Sequence, residues 1–172
     1  MARDYSARKR SKPAPLPLYR TTKPEMKFGN VDIAHTTTTA SDLIINPVAQ
    51  GVDNNERVGN KIKIWRIEWF IRSSEPVRVD LVMPNDASVT ATHTIDQPVD
   101  RDKFIQLKSQ SYNPGVAANQ LYFDSLSLPY GIISKYEGAL GSSINKNKIS
   151  VRMFTPSSTS VGGYFRIWYT DA

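Results

Sequence analysis

Cysteine is missing from the 172 residues altogether, and histidine occurs only twice. The first absence excludes a disulfide framework, a thiolate metal site and a cysteine nucleophile. The second leaves little for metal binding or general-base catalysis. His35 stands in a threonine-rich run (AHTTTTA) and His93 in a polar one (TATHTID), far apart and with no ligand spacing around either. No apolar run approaches the roughly 18 to 20 residues of a membrane-spanning helix, and the N-terminal bases are not followed by the apolar stretch of a secretory signal. The reading is of a soluble chain made in the cytosol, with no membrane partner. There is no G-x-S-x-G elbow to place a nucleophilic serine, and Gly162-Gly163 has neither the lysine nor the helix of a phosphate-cradling loop. Asp96, Asp100 and Asp102 cluster without the regular alternation of a calcium loop and read as a solvated acidic loop. No catalytic residue, metal site or cofactor is expected, and the chain is not read as an enzyme.

What is present is unevenly distributed. Residues 1–27 hold eight bases (Arg3, Arg8, Lys9, Arg10, Lys12, Arg20, Lys23, Lys27) against two acids, Asp4 and Glu25, for a net +6. That equals the formal charge of the whole chain, so the other 145 residues carry 14 bases and 14 acids and are neutral. A segment of this composition buries too little apolar surface to offset its ordering entropy, and is expected to be an extended arm when free. Pro13, Pro15 and Pro17 favour a stretched polyproline spacer between the basic run and the rest. Such an arm fits a polyanion. Lysines and arginines beside phosphates release counterions without reading sequence, and Tyr5 and Tyr19 offer rings for unpaired bases. The expected nucleic-acid contacts are therefore the eight bases of the arm, with Lys61, Lys63 and Arg66 as weaker candidates. Arg8, Lys9, Arg10 and Lys12 also form a candidate nuclear-import signal, with a host import receptor as partner. Solubility alone is the plainer reading of such a charge run.

After the arm, residues 28–172 read as one all-β domain, since no window keeps a helical period beyond two turns. Candidate strands are 26–38, 61–72, 77–83, 103–109, 119–128, 130–137, 147–155 and 162–170. Val77, Val79, Leu81 and Met83 alternate with Arg78 and Asp80, and Ile149, Val151 and Met153 repeat the pattern, as half-buried strands do. In 61–72 the phase breaks: Ile62 and Ile64 lie on one parity, Ile67, Trp69 and Ile71 on the other, which predicts a bulge near Trp65 or Arg66 in a central strand. Pro76, Pro84, Pro114, Pro129 and Pro156 mark strand ends. Eight strands with long connections and no helix layer suit a single antiparallel jelly roll of two packed sheets better than a five-stranded OB barrel.

Two stretches carry a resemblance. "QGVDNNERVGNKIKIWRIEW", residues 50–69, places Gln50, Gly51, Arg57 and Gly59 ahead of the alternating run from Lys61 to Ile67. "GGYFRIWYTDA", residues 162–172, closes the chain with glycines, an arginine, aromatics and an acid. Together with the basic N-terminus, these resemble the capsid proteins of small circular single-stranded DNA viruses that encode a replication initiator, the circovirus-like group. The resemblance implies a jelly-roll subunit, sixty copies in an icosahedral T=1 shell, the arm inside against packaged DNA, and passage through the host nucleus before residence in the virion. An attachment receptor on the host is a further implied partner. The arm here is shorter and less charged than circoviral arms, so bases on the inner surface or small counterions have to neutralise the remaining phosphates. Satellite-type RNA virus capsids share the plan. A single-stranded nucleic-acid-binding β-domain that forms no shell is the alternative of a different class; it requires a basic, aromatic surface on the folded domain, which an overall neutral body does not lead one to expect.

Overall fold

The computed structural model describes residues 24–35, 41–51, 53, 55–85, 98–115, 120–156 and 160–172. Among them are nine strands and no helix: β1 (Lys27–His35), β2 (Ser41–Ile44), β3 (Lys61–Ser73), β4 (Val77–Pro84), β5 (Phe104–Tyr112), β6 (Gln120–Tyr136), β7 (Ile144–Lys146), β8 (Ser150–Phe154) and β9 (Val161–Asp171). Their pairing is nested. β4 pairs with β5, β3 with β6, β2 with β8 and β1 with β9, all antiparallel. The chain is thus a long ribbon doubled back about the β4–β5 connection. The ribbon then rolls, so that β9 also bonds to β3 and β8 to β4. Two sheets result, ordered β1-β9-β3-β6-β7 and β2-β8-β4-β5. This is the expected jelly roll of eight strands, with β7 as a short addition outside β6.

The eight strands of the roll are not quite the eight expected. The two runs 119–128 and 130–137 are one strand, β6, which passes through Pro129 instead of stopping there. The reason lies in its partner. Ile64 faces Ile132 and Arg66 faces Ser127, so four residues of β6 lie opposite the single Trp65. This outward bulge leaves Pro129 where no ladder donor is needed, exposes Tyr130, and turns at Gly131, whose φ of +65° favours glycine. The strands that sequence reading misses, β2 and β7, span four and three residues, too short for an alternation to register.

Between the sheets lies one core. Ile62, Ile64, Ile67, Trp69 and Ile71 of β3 are all fully buried, with Val77, Val79 and Leu81 of β4, Val151 and Met153 of β8, and Phe165, Ile167 and Tyr169 of β9. The phase break in β3 is real: the register shifts between Ile64 and Arg66 against both neighbours, which returns the second set of apolar residues to the core side. β3 is also the central strand of its sheet. Close packing of β3 on β9 uses Gly163, where any Cβ would meet the Phe70 carbonyl oxygen at 1.9 Å.

The Gln50–Gly59 stretch has a packing role of its own. Arg57 is fully buried, its Nε donating to the Val48 carbonyl at 3.0 Å and its two Nη atoms donating to the carbonyls of Gly59 and Gly138. Its guanidinium lies 4.2 Å from the centre of the Tyr136 ring. Around it the backbone closes, with Gln50 N–H on Ala139 O and Gly51 N–H on Arg57 O. One planar fork satisfies three carbonyls from separate segments, which a lysine ammonium cannot reproduce. Arg57→Lys is therefore expected to lower the unfolding free energy by about 2–4 kcal/mol, since it leaves buried acceptors unmet. Urea denaturation checks this; a loss below about 0.5 kcal/mol would show that the fork is dispensable.

Candidate nucleic-acid interface

Every outward position of the five-stranded sheet follows from the register. Because Gly29, Ile33, Ile67, Trp69, Phe165 and Ile167 point to the core, their neighbours in sequence point away from it. Across the strands the outward residues align in rows. Phe28, Trp168, Arg66 and Ser127 form one; Asn30, Arg166, Glu68 and Ser125 the next; Asp32, Tyr164, Phe70 and Phe123 a third; and Gly162, Arg72 and Leu121 continue beyond them. Toward the other end of β3, past the bulge, Lys63 stands opposite Ile133, and Lys61, Lys135 and Lys146 lie in register on β3, β6 and β7.

This face is cationic. Its strand positions hold Lys61, Lys63, Arg66, Arg72, Lys135, Lys146 and Arg166 against Asp32 and Glu68, a net +5 from seven bases and two acids. Off the face, three of the bases are neutralised by acids: Arg78 pairs with Asp80 at 2.9 Å, Lys103 with Asp100 at 3.3 Å, and Lys108 with Asp124 at 2.7 Å. On the face only Arg66 has an acid among the described residues, Glu68 at 2.9 Å. Neutrality of the body therefore conceals a segregation, and the expectation that a neutral body lacks a basic surface is corrected here. Lys61, Lys135 and Lys146 are all exposed and face one another directly across strands, an arrangement of like charges that destabilises a sheet unless an anion joins it.

Aromatic rings occupy the other half. Phe70 lies between Phe123 and Tyr164, with ring centroids 4.7 and 4.9 Å away, and Phe28 packs on Trp168 at 5.6 Å. The Arg166 guanidinium carbon is 5.1 Å from the centre of Phe28, 5.5 Å from Tyr164 and 5.8 Å from Trp168. Glu68 accepts from the Trp168 indole N–H at 2.8 Å while pairing with Arg66, and Asn30 accepts from Arg166 Nε at 2.9 Å. Lys63 sits 4.2 Å over the Trp65 ring, whose N–H bonds to Thr170.

Of the residues expected to touch nucleic acid, Arg3, Arg8, Lys9, Arg10, Lys12, Arg20 and Lys23 lie outside the described residues. Lys27 opens β1, one residue before the boundary expected for the folded domain. It is 8% exposed, and its ammonium meets the Asp171 carboxylate at 2.9 Å and the Glu56 carbonyl at 3.0 Å. Its charge is spent inside the fold, which removes it from the arm's contacts. Lys61, Lys63 and Arg66, the weaker candidates, are brought together on the sheet face. Sequence reading misses Arg72, Lys135, Lys146, Arg166 and the rings beside them. The signal was present in the alternation of Tyr164, Arg166 and Trp168 with Phe165, Ile167 and Tyr169. Asp96 and His93 lie outside the described residues, while Asp100 accepts from the Asp102 N–H and pairs with Lys103. Among the described residues no three acids or histidines converge on a metal position.

The lysine row makes a test. Lys135→Gln, in its middle, is expected to raise folded stability by a few tenths to about 1 kcal/mol and to reduce the logarithmic salt dependence of single-strand binding by about 0.7. Denaturation and salt titration read the two effects; a stability loss with an unchanged salt slope would remove the row from the interface.

No family model matches the chain, and no curated protein matches it. Solved structures similar to it include the coat protein of tobacco streak virus as a dimer, at TM-score 0.42 and 10% identity over 83% of this chain and 87% of that one. A second crystal form of the same coat protein overlaps at TM-score 0.40 and 8% identity, over 83% and 87%. A Bacillus endospore appendage from a family of disulfide-linked pili overlaps at TM-score 0.36 and 10% identity, over 86% and 88%. Likeness at this level carries no argument about function.

Proposed function

We propose that this chain is a viral coat subunit that assembles into a small closed shell of sixty copies around single-stranded nucleic acid, with its basic arm and the outer face of its five-stranded sheet turned to the cargo. The observation that carries the reading is the placement of charge. The arm leads directly into β1, the edge strand of the same sheet that bears the unpaired lysine row. In this reading the charges of arm and face act on the same cargo. Without the internally paired Lys27, residues 1–26 contribute seven bases and two acids, +5, and the face contributes another +5. Sixty such subunits present about 600 positive charges, so the face supplies what the short arm alone lacks on one-to-one counting with phosphates.

The assembly half of the proposal rests on sheet edges. β1 and β5, each nine residues, form outer edges of their sheets among the described residues, and natural β-proteins cover or pair such edges. Symmetric closure does so while limiting growth. The stretches 50–69 and 162–172 resemble circovirus-like capsids, which favours DNA as cargo and passage through the nucleus, with Arg8, Lys9, Arg10 and Lys12 as the import signal. One observation favours a second reading, a single-stranded nucleic-acid-binding domain that forms no shell: the basic, aromatic face is complete on one subunit.

Particle formation separates the two. Purified full-length protein is expected to give megadalton hollow spheres by size exclusion and negative-stain microscopy; a monomer or small oligomer under all conditions would leave the second reading. Deleting residues 1–12 removes five bases and one acid but none of the described residues. The truncated protein is expected to assemble still, with cargo reduced by about two-fifths on charge counting, as read by the ultraviolet absorbance ratio of purified particles. Unchanged cargo would contradict the arm's assignment.

A further inference from the structure

Electrostatics explains the lysine half of the sheet face but not the rings. Phe123 is 55% exposed, Leu121 67% and Phe28 40%, on a folded domain that has a full core elsewhere. Leaving such surface in water costs about 25 cal/mol per Å². The rings are also ordered. Phe123, Phe70 and Tyr164 form an unbroken row across β6, β3 and β9, and Tyr164, Arg166 and Trp168 succeed one another on one side of β9. Alternate residues of a strand stand about 6.7 Å apart, near the separation of successive bases in an extended single strand. Arg66, Arg72 and Arg166 flank the rings, and Glu68 and Asn30 hold two of these guanidiniums and the Trp168 indole in fixed positions.

We propose that the aromatic half of this face is a stacking platform for unpaired nucleobases, with Phe123, Tyr164 and Trp168 taking base faces and Arg66, Arg72 and Arg166 taking the phosphates between them. It rests on the nucleic-acid reading of the face and names how the cargo is held. Charge complementarity selects this occupant over a second protein surface, since an apolar partner would bury three arginines of a face whose strand positions hold seven bases against only two acids, Asp32 and Glu68. An outward sheet face carrying rings suits single strands because a duplex hides its base faces. The arm therefore supplies the salt-sensitive part of binding and the platform a part that survives salt.

The test uses full-length protein, oligothymidylate, a duplex of equal length and heparin, with tryptophan fluorescence as the readout. At about 1 M salt, where the screening length is near 3 Å, the single strand is expected to bind and quench fluorescence while heparin and the duplex do not. Trp168→Phe removes the quench but keeps most of the affinity. Phe123→Ala weakens single-strand binding by about 5- to 160-fold, the range of one lost stacked base, while Phe123→Trp restores it and Leu121→Ala, beside it but without a ring, leaves it within about twofold. Phe123 is exposed, so its variant tests binding and not folding. Equal binding of heparin and single strand at every salt would overturn the platform and leave the electrostatic interface standing; no binding of either would overturn both. A loss from Leu121→Ala matching that from Phe123→Ala, or a change of oligomeric state in both, would assign the patch to a protein contact and overturn the proposal.

Discussion

One residue of slippage in β3 organises the molecule. An alternating strand has a single apolar side, yet the apolar residues of 61–72 lie on both parities. The bulge at Trp65 absorbs the difference, so that Ile62 and Ile64 on one side of it and Ile67, Trp69 and Ile71 on the other all enter the same core. The same slip turns Lys61 and Lys63 outward together with Arg66, Glu68, Phe70 and Arg72. Without it, one half of the strand would bury lysines or expose isoleucines. Because β3 is central and bonds to both β6 and β9, its register sets which residues of those strands reach the surface. Core and candidate interface are two consequences of one local irregularity.

Charge is handled by location, not by amount. The body has as many acids as bases, and several of its acids sit beside bases off the face: Asp171 beside Lys27, Asp124 beside Lys108, Asp80 beside Arg78. Asp124 shows the effect on its own titration. Burial works to raise its pKa, but the bonds from Lys108 and the Ser125 N–H outweigh that and hold it below the usual carboxylate value. Lys108 and Tyr112 of β5 reach it from the opposite sheet, so this cluster also ties the two sheets together. Seven bases against two acids collect on one face, where Lys61, Lys135 and Lys146 repel one another across strands, a cost that the proposed nucleic-acid cargo would relieve.

Much of this was legible in the residues. Alternation in 77–83 and 149–153 gave the inward faces, and the phase break in 61–72 gave the bulge, because side-chain parity is a local property. Strand membership near Pro129 was not legible, since a proline usually ends a strand and only the four-residue bulge of β6 against Trp65 lets this one continue. β2 and β7 were too short to show a period. The candidate interface was half legible: Lys61, Lys63 and Arg66 sit on one strand, but their alignment with Lys135, Lys146 and Arg166 depends on the pairing of β3 with β6 and β9, strands distant in sequence. Summing charge over the body hid it, because a sum carries no geometry. The Gln50–Gly59 motif was visible as a pattern, whereas its physical role, a buried guanidinium tying three carbonyls, required the fold.

The central claim is that the outer face of the five-stranded sheet, with the arm, is the side turned to nucleic acid. Ultraviolet cross-linking of full-length protein to single-stranded DNA, followed by mass spectrometry of the adducts, tests it most directly. The account predicts adducts on Tyr164, Trp168 and Phe123, together with residues of the arm. Adducts confined to the opposite sheet, around the exposed Ile105 and Ser109 of β5, would contradict it.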